Sequence, residues 1–111
     1  MISSRTVSIA WLSLVWVASA SAQNLNAPAA EALMKKSNCF KCHSVDKKKD
    51  GPSYKEVLAK HKGEADLEQK LFVHLTTTPM VKVDGNEEEH EALKTKKEED
   101  VRNVIRWILS R

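Results

Sequence analysis

Cysteine is scarce in this 111-residue chain: only Cys39 and Cys42 occur, with two residues between them. A structural zinc site wants four thiolates or imidazoles at matched spacing, and there are no further cysteines, nor do His43, His61, His74 and His90 repeat any ligand spacing. A disulfide between Cys39 and Cys42 would close so small a loop that it removes little entropy from the unfolded chain. Long Val/Ile-rich runs are missing around Cys39, and with them the βαβ setting of a thioredoxin-like C-x-x-C pair. No internal repeat or low-complexity linker divides the sequence, which leaves one domain. Aromatics make up 5% of the residues, and with a formal charge of only +3 there is no basic aromatic platform for nucleic acid.

What is present is Cys39-Phe40-Lys41-Cys42-His43. On a helical turn the two sulfurs lie three residues apart on one face, and the His43 imidazole points from the same side. Two thiols so placed can add across the two vinyl groups of one haem to form two thioether bonds, while the imidazole comes up beneath the iron as proximal ligand. The pattern C-x-x-C-H is a specific signal for c-type haem attachment.

Residues 1–22 carry one charge, Arg5, then an apolar run over 7–18, then the small residues Ala20-Ser21-Ala22. This is the pattern of a secretory signal peptide cleaved after Ala22 or Ala20, the competing reading being an uncleaved anchor. Ser8 and Ser13 interrupt the run, which is short for a membrane span. Export agrees with the motif, because c-type haem is attached on the outer face of the bacterial inner membrane, and a periplasmic location is expected. The remaining 89 residues (111 minus 22), 23–111, form the expected domain, with no stable membrane span. Their only aromatics are Phe40, Tyr54, Phe72 and Trp107, so a covalently held haem would supply apolar bulk that the side chains lack.

Periodicity points to helices. A first runs over 29–36, with Pro28 in its first turn and Lys35 and Lys36 in its last. Ser53 has the look of an N-cap, with Glu56 completing a capping box before Val57 and Leu58, and Gly63 stops that helix. A third spans 65–75 and ends at Thr76-Thr77-Thr78-Pro79. The last, Glu98–Leu109, places three acids in its first turn and Val101, Val104, Ile105 and Ile108 in an apolar stripe. Between them, 81–86 alternates and turns at Asp84-Gly85 like a small hairpin, whereas 87–93 fits a short helix equally well.

An all-α chain of about four helices, with the attachment motif early and a long amphipathic helix last, resembles the class I c-type cytochromes of bacteria. The residues that carry the likeness are Cys39-Phe40-Lys41-Cys42-His43, Gly51-Pro52-Ser53-Tyr54, Pro79-Met80 and Val104-Ile105-Arg106-Trp107-Ile108-Leu109, covering most of 23–111. The resemblance implies one haem c, covalent through Cys39 and Cys42, with His43 and Met80 as its axial ligands. It further implies that the Pro52 carbonyl accepts a hydrogen bond from the second His43 nitrogen, that Gly51 lets the backbone approach the haem, and that Leu33 and Met34 meet Val104 and Ile108. His74 is the rival to Met80, and His/His ligation would lower the reduction potential; His61 is expected on a helix face and His90 in solvent, among four glutamates. The family commonly follows its ligand methionine with a proline-rich turn, whereas Val81-Lys82-Val83-Asp84-Gly85 stands here.

The implied activity is electron transfer, by a soluble carrier or by the haem subunit of a partner oxidoreductase, as a monomer or one member of a heterodimer and not as an enzyme itself. A haem-based sensor or small peroxidase is the alternative; it needs a displaceable distal ligand, and no distal Arg/His pair stands out. Charge is uneven along the chain: over 35–62 nine lysines face three acids, a local +6, while 84–100 carries a local −5, a pattern that an ordinary solvated surface also fits. Lysines around the attachment segment would steer redox partners with an acidic docking surface.

Overall fold

The structure, a computed structural model, describes residues 24–111. The expected export signal lies outside these residues. Helix α1 (Ala27–Lys36) starts two residues earlier than expected, because the Asn26 side chain accepts from the Ala29 N–H at 3.2 Å and serves as N-cap. It ends at Ser37, and Asn38 then takes a left-handed conformation (φ 62°) that turns the chain at once into α2 (Cys39–Cys42). The expected capping box is present at the start of α3 (Tyr54–Lys60): the Glu56 N–H donates to Ser53 Oγ at 3.1 Å and Glu56 Oε2 accepts from the Ser53 N–H at 2.9 Å. Helix α4 (Leu67–Thr76) closes where the Thr76 and Thr77 hydroxyls donate to the Phe72 and Val73 carbonyls, each at 2.7 Å.

The region with two sequence readings is a hairpin of β1 (Met80–Val83) and β2 (Asn86–Glu89), paired Met80↔Glu89 through Val83↔Asn86. Asp84 (φ 49°) and Gly85 (φ 82°) form its two-residue turn, where positive φ at both positions matches the strand twist. The chain then returns to α5 (Glu98–Leu109), which has the bounds expected from its stripe. The fold is therefore mostly helical, with the expected helices, one extra single turn at the motif and one small sheet. Among the described residues no helix is long and apolar enough to cross a membrane.

Helices α1 and α5 meet in the core, where Ala30 and Met34 join Val101, Val104, Ile105 and Ile108, with Leu71, Leu75 and Leu93 alongside and Leu33 packed against the cluster. Apolar periodicity explains that contact, but one polar residue shares it. Asn103, buried in the α5 stripe, accepts the Asn26 N–H at 2.9 Å and donates to the Asn26 carbonyl at 2.8 Å. This reciprocal pair fastens the start of α1 to α5, and the Trp107 Nε1–H adds a bond to Glu31 at 3.1 Å. The core thus clamps the two ends of the described chain together, with the motif emerging directly from α1.

Candidate haem-attachment site

The single turn α2 carries both thiols, half-buried and not bonded to each other. His43 is not on the turn itself: it is the C-cap, extended at φ −121° and ψ 145°, with its N–H donating to the Cys39 carbonyl at 2.9 Å. Its ring is fixed from two sides. His43 Nδ1 lies 2.7 Å from the Pro52 carbonyl, which can only accept, so Nδ1 carries the proton and the lone pair is on Nε2. Tyr54 stacks on the imidazole at 5.5 Å between centroids, and Tyr54, Phe40 and Trp107 pack edge to face behind it. Gly51 closes against the same ring: a Cβ built there would sit 2.5 Å from His43 Cε1. The Gly51 N–H donates to the Cys42 carbonyl at 2.8 Å, which holds the 51–52 segment against the motif.

Burial pushes the Cys39 thiol up to about 11, with the Glu91 carboxylate adding to the effect, so this sulfur is a neutral thiol at pH 7. Burial likewise raises the Tyr54 phenol, leaving it un-ionised. Lys47, Lys48 and Lys49 line an open groove of about 560 Å³ with Phe40, His43, Ser44 and Val45, so part of the lysine-rich segment does border the site.

On the other side, the expected site residues part company. Met80 opens β1 and is 58% exposed. His61 caps α3 and hydrogen-bonds Glu64 at 3.0 Å. His90, expected in solvent, is instead half-buried: its centroid is 6.1 Å from that of His43 and 4.2 Å from that of His74. Tertiary pairing overrides its acidic neighbours in sequence, because the His90 N–H donates to the Pro79 carbonyl at 2.8 Å and extends the hairpin ladder by one pair. Burial, then the His74 and His43 rings, push the His90 imidazole down to about 4, and burial lowers His74 too, so both rings are neutral at pH 7. The signal for His90 was in the turn. With Asp84-Gly85 as the two turn residues, position 90 pairs with 79 and shares a face with Val81 and Val83, the half-buried side of the strand.

These residues fit a haem c. Both thiols are free on one helical turn, His43 offers a fixed lone pair, glycine leaves room where a Cβ would strike the ring, and His90 Nδ1 is buried without a hydrogen-bond partner among the described residues.

A sequence profile of the family described as Cytochrome c matches residues 27–111. Cytochrome c-551 of Pseudomonas aeruginosa is 42% identical over 62 residues, covering 56% of this chain and 60% of that protein. Cytochrome c-551 of Azotobacter vinelandii is 46% identical over 41 residues, covering 37% and 50%. The chain thus spans between half and three-fifths of the length of these relatives. Among solved structures, the class 1 cytochrome MtoD from Sideroxydans lithotrophicus ES-1 is similar at 48% identity with a TM-score of 0.73, over 78% of this chain and 97% of that one. Cytochrome c552 of Nitrosomonas europaea is similar at 25% identity with a TM-score of 0.55, over 72% and 96%.

Proposed function

Since the chain belongs to the cytochrome c family as a small class I c-type cytochrome, with haem c bound covalently through Cys39 and Cys42, we propose that it is a periplasmic electron-transfer protein whose iron is held by protein ligands on both faces. In this reading 1–22 is its export signal and 23–111 the haem-binding domain. His43 is the proximal ligand, and the second ligand comes from the 74–90 stretch, which carries His74, Met80 and His90.

The observation that carries the proposal is the 2.7 Å bond from His43 Nδ1 to the Pro52 carbonyl. It fixes the tautomer and aims the free nitrogen, and it raises that nitrogen's basicity as a donor. Bound haem c supplies a one-electron ferrous/ferric couple. Around it, the chain's own work is to hold ring and thiols still. Gly51 and Tyr54 restrict His43 from either side, so little atomic movement accompanies a change of charge. The lysines at 47–49 border the groove over His43 and Phe40, where an acidic partner surface would be drawn in for brief contact.

The purified exported protein is expected to be coloured, to keep its pigment in acidified organic solvent, and to cycle reversibly between oxidised and reduced spectra. Carbon monoxide should leave the reduced spectrum unchanged on mixing. Pigment lost to the solvent would overturn covalent attachment, and prompt carbon monoxide binding would transfer the protein to the sensor or peroxidase class.

A further inference from the structure

We propose that His90, rather than Met80, supplies the second axial ligand, facing His43 across the iron. This rests on the covalent-haem reading above and departs from the His/Met pair that the sequence resemblance implies.

The spacing of the rings fits. With metal–nitrogen bonds of about 2.0 Å and a ring centre about 1.1 Å behind the bonded nitrogen, imidazoles on opposite sides of one metal have centroids about 6.2 Å apart. His43 and His90 are 6.1 Å apart, whereas His74 and His90, at 4.2 Å, are too close to hold one iron between them. His74 therefore packs beside the His90 ring and is not its opposite number.

The backbone carrying His90 is anchored on three sides. Its own N–H is bonded to the Pro79 carbonyl at 2.8 Å. The next residue, Glu91, accepts from Asn38 Nδ2 at 3.1 Å, directly before Cys39. Lys94 N–H donates to the buried Ser37 hydroxyl at 2.9 Å, and Leu93 N–H to the Leu75 carbonyl at 2.9 Å. The segment is thus stitched both to the start of the attachment motif and to the end of α4, and its imidazole has a buried nitrogen with no partner among the described residues. An unpaired buried polar atom is costly unless something takes its lone pair or its proton.

Met80 stands on the other face. Strand side chains alternate, and in β1 exposure follows: Met80 and Lys82 point out, Val81 and Val83 in. The register gives Met80 the exposed Glu89 as its cross-strand partner, while His90, opposite Pro79, takes the Val81 side. A one-residue slip would be needed to exchange them. Two imidazoles would stabilise the ferric state relative to an imidazole and a thioether.

The test is the ferric optical spectrum of the full chain with its haem attached. The wild type is expected to be low-spin without the far-red sulfur-to-iron band, and M80A to have the same spectrum. H90A should become high-spin and return to low-spin on adding imidazole, and H90M should gain a far-red band. A wild-type far-red band abolished in M80A would overturn the assignment in favour of Met80. A low-spin spectrum untouched in H90A but lost in H74A would overturn it in favour of His74. Should H90A fail to fold, H90M and H74A decide: a far-red band gained in H90M with H74A still low-spin upholds His90, and loss of the low-spin spectrum in H74A overturns it. Pigment extracted by acidified solvent defeats the covalent-haem reading, whereas retained pigment with a Met80-dependent band defeats only the His90 assignment.

Discussion

Replacing Gly51 by alanine isolates the contact that sets the proximal ring. Gly51 is not among the positive-φ glycines, so alanine meets no backbone objection there, and the whole effect comes from the added Cβ. That atom would lie 2.5 Å from His43 Cε1, 2.8 Å from Nδ1 and 3.1 Å from the Cys42 carbonyl oxygen. Carbon atoms settle at about 3.5–4.0 Å, so the ring must retreat by about 1 Å. The same displacement stretches the 2.7 Å bond to the Pro52 carbonyl beyond useful hydrogen-bond length. A hydrogen bond is worth about 0.5–1.5 kcal/mol between neutral groups and about 1.5–3 kcal/mol when one partner is charged, so the ferric state loses about 1 kcal/mol more than the ferrous. For a one-electron couple this raises the reduction potential by about 40 mV. A spectroelectrochemical titration of wild type and G51A at fixed pH and salt measures it. The control is G63A: Gly63 (φ +85°) has nothing within 4 Å of its notional Cβ, so alanine there costs about 1 kcal/mol of stability through backbone strain and leaves the potential alone. A potential in G51A at or below wild type, with haem retained, would refute the idea that the Pro52 bond tunes His43.

The remaining expectations concern stability and partner contact. S53A removes the buried hydroxyl that caps α3 and should cost about 1 kcal/mol, read as a melting temperature lower by about 5 °C with the visible spectrum unchanged. N103A strands the N–H of Asn26, whose carbonyl keeps the Ala30 N–H at 3.0 Å, so its urea midpoint should fall by the equivalent of about 1 kcal/mol with the slope unchanged; a loss of only a few tenths would mean that water replaces the amide. Electron exchange with an acidic partner should slow as salt rises from 0.01 M, where screening reaches about 30 Å, to 0.15 M, where it reaches about 8 Å, and a flat profile in stopped flow would discard a docking role for Lys47, Lys48 and Lys49.

Local chemistry was legible from the residues themselves. The stripe of α5, the Ser53–Glu56 capping box and the Asp84-Gly85 turn each follow from side chains within a few positions of one another, and the structure has all three. In the first half of the site Cys39, Cys42 and His43 were readable as a motif, and Gly51 and Pro52 through the family resemblance; all five lie within 14 residues and meet through short-range turns. The other half depends on pairing at a distance. Asn103 reads as a break in an apolar stripe until Asn26 is placed against it, 77 positions away. His90 reads as one more polar residue among glutamates until strand register puts it opposite Pro79 and Asn38 reaches Glu91 across 53 positions. The resemblance points to Met80, and the parity of the turn is what sets Met80 and residue 90 on opposite faces of the hairpin.

The arm formed by β1 and β2 can change length only in certain steps. Its base is closed by the His90–Pro79 bond and its tip by a two-residue turn flanked by Val83 and Asn86. Removing one residue from each strand would seat that turn on the opposite kind of cross-strand pair, so tolerated lengths differ by four residues. A chain lacking positions 82, 83, 86 and 87 would keep the turn, the parity and the base, and therefore the place of the imidazole at 90. The reach of the arm and the placement of residue 90 are thus separately adjustable in this architecture.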